Sequence, residues 1–152
     1  MAAPLRVHGT AVVLDALDPW SDVAGPFGVL FLGDSGSGKS TAALQLIEAG
    51  AKLVADDQVL LSRIGGRIIM TAPPSIAGRI EIRGAGIVRA PAAAEAPLSL
   101  AIICAAPVER MPGPAWFEPF AGSAVPRLAL DPFAAGFVAR VKAVLAAGGR
   151  CD

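Results

Sequence analysis

Residues 33–40, Gly33-Asp34-Ser35-Gly36-Ser37-Gly38-Lys39-Ser40, fill every fixed position of the phosphate-binding loop pattern, and they directly follow the apolar run Gly28-Val29-Leu30-Phe31-Leu32. No other stretch restricts the fold as tightly, because such a loop works only where a buried strand delivers it and a helix begins on its far side. Upstream, the apolar run suits a strand covered on both faces. Downstream, Thr41 to Ala49 is rich in helix formers, with Leu44 and Ile47 on one face, and Gly50 stops it. Within the loop, Gly36 and Gly38 let successive N–H groups turn inward around phosphate oxygens, and the helix N-terminus adds partial positive charge. Lys39 is the point charge for the β- and γ-phosphates, and Ser40 offers a hydroxyl to Mg²⁺. The competing reading, a Gly/Ser-rich turn before an ordinary helix, does not account for both flanks.

A chain of 152 residues fits one domain with a core large enough to need no metal or disulfide support. Hydrophobic residues make up 54% and charged residues 17%, with Lys plus Arg equal to Asp plus Glu at 13 each. No global field would therefore attract nucleic acid or an anionic membrane. A soluble surface needs charge, so an apolar composition points to surface covered by other subunits. The N-terminus lacks the apolar core of a secretion signal, and no run approaches a membrane span, so the expected location is the cytoplasm. Cys104 lies in an apolar run and Cys151 is penultimate; their placement forms no metal-ligand spacing, and both are expected to be reduced. An apolar strand raises the pKa of Cys104, against a reactive thiol.

Along the chain, Val7 to Leu14 predicts a first strand, Asp18 to Asp22 a turn, and Lys52 to Ala55 a short strand ending in Asp56-Asp57. Gln58 to Ile64 and Arg67 to Met70 flank Gly65-Gly66, which predicts a hairpin. Pro73-Pro74 breaks the chain, and Ile80 to Arg83 alternates as an edge strand entering the tight loop Gly84-Ala85-Gly86. Arg89 to Pro97 reads as a loop, free to move. Leu98 to Cys104 reads as a buried strand, Pro107 to Pro119 with its four prolines as irregular, Arg127 to Leu130 as a short strand, and Ala134 to Ala147 as an amphipathic helix ended by Gly148-Gly149. Many short strands and two helices predict a single α/β domain around the phosphate loop, with a mixed sheet and less helix than a regular doubly wound fold.

Read together, the loop, then Leu53-Val54-Ala55-Asp56-Asp57-Gln58-Val59, then Ala72-Pro73-Pro74 and Glu81-Ile82-Arg83-Gly84-Ala85-Gly86-Ile87, closely resemble the catalytic domain of bacterial HPr kinase/phosphorylase, a fold shared with phosphoenolpyruvate carboxykinase. Val7-His8-Gly9-Thr10 matches the His-Gly that opens that domain. The resemblance covers roughly residues 6 to 110. On the resemblance, the chain is expected to begin at the catalytic domain, without the N-terminal domain of longer members, as in the compact form found in alphaproteobacteria. It carries Val125 to Pro132 in place of the family's late Pro-rich, Gly-Arg-containing segment, which is associated with dephosphorylation, so the reverse reaction is the half that the resemblance supports less. The turn around Pro19-Trp20 is longer than in the family, which makes the position of His8 a point for the structure to decide.

The resemblance implies ATP and Mg²⁺ as cofactors, the HPr phosphocarrier protein as partner, and a homohexamer. It assigns Gly33, Asp34, Ser35, Gly36, Ser37, Gly38, Lys39, Ser40 and Thr41 to nucleotide binding. Asp57 becomes the general base for phosphorylation, with His8, Lys39 and Arg110 beside it, and Ser40 and Glu81 ligate Mg²⁺. The residues themselves bear this out in part: Asp56-Asp57 follows an apolar strand where an open α/β sheet presents its ligands, and adjacent strand-end carboxylates point in different directions, which makes Asp56 a metal or water ligand. Each residue also has a plainer reading. The two acids could cap a turn, the Ile-Glu-Ile-Arg strand could be just a solvated face, and a lone His8 could be structural, while Arg83 could either pair with Glu81 or reach phosphate. Two other functions stay open, a small-molecule kinase on the same loop and a regulatory module that senses ATP without transfer. Replacing Asp57 by Asn separates a kinase from a sensor.

Overall fold

The computed structural model describes residues 3–149; Cys151 lies outside them. Among the described residues, eleven strands, two α-helices and one 3-10 turn follow one another. The first predicted strand is two, β1 (Leu5–His8) and β2 (Thr10–Leu14), broken at Gly9. A Cβ at Gly9 would lie 2.7 Å from the Phe31 carbonyl oxygen, so only glycine lets the chain pass that close as it leaves one partner for the next. β1 pairs antiparallel with β5 (Gln58–Ile64), whereas β2 lies between β3 (Phe27–Leu32) and β4 (Lys52–Ala55), antiparallel to both.

β5 turns through Gly65-Gly66 into β6 (Arg67–Thr71). Both glycines have positive φ, 58° and 78°, as a two-residue hairpin turn requires. After the 3-10 turn Pro74–Ile76, β7 (Arg79–Ile82) and β8 (Gly86–Arg89) form a separate two-stranded sheet. The expected edge strand thus has a partner beyond its tight loop, β8, which no local sequence signal announces. β9 (Glu95–Cys104) begins three residues before the predicted strand: Glu95 to Pro97 pair with β6, and Leu98 onward runs parallel to β3. The stretch read as a free loop is also tied down, since Leu53 bridges Ala92 and exchanges backbone hydrogen bonds with Pro91 and Ala93.

Within the proline-rich segment read as irregular, Trp116–Phe120 forms β10, paired with β11 (Ser123–Leu130). The pairing shifts register between Phe117 and Phe120, where Pro119 cannot donate. β11 runs parallel to β9 over Arg127 to Leu130. The main sheet thus has nine strands, in the order β1-β5-β6-β9-β3-β2-β4 with β11 and β10 off β9.

Both faces of the sheet are covered. Val12, Leu14, Val29 and Phe31 face α1 (Lys39–Glu48) and α2 (Phe137–Ala146), while Ala11, Val13 and Leu30 pack with Val59, Leu61, Ile68 and Met70 on the other side. Phe31 and Phe137 meet with ring centroids 6.1 Å apart, locking α2 onto the strand that delivers the loop. The expected mixed α/β domain with few helices is what the chain forms. No described helix is long and apolar enough to cross a membrane.

Candidate active site

Three strand ends meet at the loop. β3 ends at Leu32 and feeds residues 33–38; β4 ends at Ala55 and feeds Asp56-Asp57; β2 starts between them at Thr10. A cavity of about 370 Å³ opens there, lined by Ser35, Gly36, Gly38, Lys39, Ser40 and Thr41 of the loop and helix, by His8, Thr10, Asp56 and Asp57, by Glu81 and Arg83, and by Leu44 and Phe133. Gly36 and Gly38 take positive φ, 81° and 105°, which shapes the loop around its N–H groups. Gly38 caps α1 without any side-chain hydrogen bond, and the first turn of the helix carries no acidic residue. The first-turn N–H groups have no intrahelical acceptor and face the cavity's end with the positive end of the helix dipole.

Lys39 is buried, and its Nζ donates to the carbonyl oxygens of Gly33 at 2.8 Å and Asp34 at 2.9 Å. An ammonium has three donors, so one stays available beyond the loop's own carbonyls. Gly33 and Asp34, grouped with the nucleotide-binding residues from sequence, act here through these carbonyls rather than by lining the cavity. Ser37 is also turned away: its Oγ is buried without a hydrogen-bond partner, against Gly33, where a Cβ would come within 2.6 Å of it.

The two adjacent carboxylates occupy opposite environments. Asp56 is buried with both oxygens engaged: its Oδ1 accepts from Ser40 Oγ at 2.9 Å and Thr10 Oγ1 at 3.0 Å, and its Oδ2 from the Glu81 N–H at 3.0 Å. Asp57 is 70% exposed, with Oδ1 3.1 Å from His8 Nε2 and Oδ2 free. It is the sole non-glycine residue with positive φ among those described, at 70°, and Gln58 N donates to the Asp56 carbonyl across it at 2.8 Å. That is a γ-turn of the strained hand, and strain of this kind persists where neighbours over-determine it. The neighbours are visible: Gly9 N donates to the Asp57 carbonyl at 3.1 Å, and His8 and Thr10, two apart on β1 and β2, reach Asp57 and Asp56 respectively.

The oxygen donors fit a hard cation. Ser40 directs its hydroxyl hydrogen to Asp56, which leaves the Oγ lone pairs for a metal, and Glu81 lines the same cavity. Among the described residues no three His, Cys, Asp or Glu side chains form a cage. Mg²⁺ is bound through one or two carboxylates and substrate phosphates rather than through an all-protein cage, so this donor set suits it.

Most of the residues singled out from sequence come together: His8, Ser35, Gly36, Gly38, Lys39, Ser40, Thr41, Asp56, Asp57 and Glu81 share the cavity. Arg110 does not. It is exposed on the irregular stretch between β9 and β10, outside the cavity lining, because the chain leaves β9 through a proline-broken segment. Arg83 lines the cavity instead; its guanidinium lies 3.9 Å from where a Cβ on Gly36 would be, and it forms no ion pair with Glu81. Thr10 and Phe133 were not singled out from sequence. Thr10 had a signal, its place beside His8; Phe133 had none, since it reaches the loop only through the parallel pairing of β9 and β11. Behind the loop, burial pushes the Cys104 thiol up to about 12, with Lys39 pulling it down and Asp131 adding to the rise.

Residues 6–93 match the family model described as the HPr serine kinase C-terminal domain. The chain is 42% identical over 91 residues to the HPr kinase/phosphorylase of Clostridium tetani, covering 60% of this chain and 27% of that protein. It is 39% identical over 87 residues to the HPr kinase/phosphorylase of Mycoplasmopsis pulmonis, covering 57% of this chain and 25% of the relative. The chain thus spans about a quarter of the length of these relatives. The solved structure of the Hpr(Ser) kinase/phosphatase from Coxiella burnetii superposes with a TM-score of 0.73 at 25% identity, covering 93% of each chain.

Proposed function

The chain belongs to the HPr serine kinase C-terminal domain family, and on that premise we propose that it is an ATP- and Mg²⁺-dependent protein kinase that phosphorylates a serine of the HPr phosphocarrier protein. The observation that carries this reading is the pairing of two acids with divided tasks at the mouth of one phosphate loop. Asp56 is spent on holding Ser40, Thr10 and the Glu81 backbone, while Asp57 keeps a carboxylate oxygen free toward solvent.

Lys39 and the loop N–H groups hold the triphosphate and neutralise its charge. Ser40 and Glu81 would hold Mg²⁺ with Asp56 positioning Ser40; when bound, the ion neutralises charge on the β- and γ-phosphates. With its Nε2–H tautomer, His8 donates to Asp57 Oδ1 and orients the carboxylate. Asp57 then takes the proton of the incoming serine hydroxyl as the serine oxygen forms its bond to the γ-phosphorus and the bond to the β–γ bridging oxygen breaks, leaving ADP. Arg83 adds positive charge at the loop where Arg110 had been expected.

The proposal extends to a catalytic domain at work in the cytoplasm, in an oligomer of hexameric form by family resemblance. Exposed Ile87, Met111 and Trp116 offer apolar surface for subunit or partner contact. Incubation with HPr, ATP and Mg²⁺ tests the reading. Mass spectrometry should find one phosphoserine on HPr; ATP bound, with phosphate passed to a metabolite or to nothing, would reject it.

A further inference from the structure

We infer that Phe133 is the stacking platform for the nucleobase, so that the base is held by its face on a residue lying outside the stretch matched by the family model. The inference rests on the nucleotide-site reading above and deepens it.

Topology brings Phe133 to the site. β3 and β11 both run parallel to β9, so the carboxyl ends of β3 and β11 emerge at the same edge of the sheet, where α/β folds take their ligands. One end delivers the phosphate loop and the other delivers Asp131-Pro132-Phe133. The ring meets the loop directly: a Cβ on Gly38 would lie 2.9 Å from Phe133 Cε2 and 3.1 Å from Cζ, so glycine at that position leaves room for the ring as well as for the loop's backbone. Yet Phe133 is 67% exposed while lining the cavity. A phenyl ring largely in solvent beside a phosphate site gives a planar apolar partner a surface to cover.

The ring's support is fixed in advance. The Phe133 N–H donates to Asp131 Oδ1 at 2.9 Å, and Gln45 Nε2 donates to the Pro132 carbonyl at 2.7 Å, tying the turn to α1. Thr41 and Leu44 line the cavity along the same helix. A ring on a pre-set turn loses little conformational freedom when a base stacks on it. With the Gln45 amide engaged by Pro132, that flank offers the Phe133 ring and the apolar Leu44 side chain, which suits stacking rather than edge recognition.

Calorimetric titration of Mg²⁺-ATP and of Mg²⁺-tripolyphosphate, which lacks base and ribose, tests this on the wild type, Phe133→Ala and Phe133→Trp. Wild type should bind ATP more tightly than tripolyphosphate. Phe133→Ala should weaken ATP about tenfold or more, the usual loss for one stacked base, and leave tripolyphosphate within about twofold. Phe133→Trp should restore ATP binding and add a fluorescence component quenched by ATP and not by tripolyphosphate. The inference is overturned if Phe133→Ala leaves ATP affinity unchanged, or if it weakens both ligands equally, which would make the ring a support for the loop. Should wild type bind neither ligand, the nucleotide site itself fails, an outcome distinct from loss of the stacking role alone.

Discussion

Asp56 and Asp57 show how one strand end supplies two different carboxylates. Successive residues leaving β4 point apart, and the γ-turn at Asp57 sharpens the divergence, so one acid is buried under three donors and the other faces solvent. Removing each should therefore do different things. Asp56→Ala leaves two hydroxyls and an N–H in a buried pocket without their acceptor, and urea unfolding should show a loss of about 2–4 kcal/mol. Asp57→Ala removes an exposed side chain and should stay within about 1 kcal/mol of wild type; equal losses in the two variants would show that Asp56 is not the structural hub. Cys104 gives a second test. Burial raises its thiol from 9.0 to about 12. The folded state thus holds its proton longer than the unfolded chain, and the thiol's contribution to stability is intact below pH 9 and lost as pH rises toward 12. In a Cys151→Ser variant, iodoacetamide at pH 8 should leave the native protein unlabelled and modify it fully in urea; rapid native labelling would contradict the burial.

At the scale of elements, signals carried by neighbouring residues were legible. The hairpin of β5 and β6 is announced by Gly65-Gly66 between two β-rich runs, and α1 by the loop and Gly50. Elements defined by distant partners were not. Glu95 to Pro97 look like loop because Ala and Pro surround them, and they are strand because β6 lies alongside. β10 survives its proline by shifting register at that point. α2 starts at Phe137 rather than Ala134 because Gly136, at φ 77°, sets the entry to the helix. What places α2 is one buried ring against the loop-bearing strand. Phe137→Ala should therefore cost about 3–5 kcal/mol, read as a lowered unfolding midpoint; a loss below about 1 kcal/mol would mean that α2 docks through its other contacts and not through the Phe31–Phe137 pair.

For the molecule as a whole, the candidate site gathers at one edge of the sheet. The phosphate loop, the paired acids and the turn bearing Phe133 all lie at the carboxyl ends of β3, β4 and β11, brought there by strand order rather than by nearness in sequence. The loop and both acids could be seen in the chain because their motifs are contiguous, and His8 because it belongs to the same set. Phe133 could not, since only the pairing of β11 with β9 carries it across. Arg110 was misplaced for the converse reason, as the proline-broken stretch after β9 takes it out of the cavity lining. Phosphate transfer here depends on Asp57 as the proposed proton acceptor beside a bound triphosphate. Its most direct test is the rate of phosphate transfer to HPr by Asp57→Asn, with ATP affinity measured on the same protein. Transfer should fall by about 10²–10⁴-fold, the usual range for a general base, while ATP binds within about twofold of wild type. Transfer close to the wild-type rate would contradict the account.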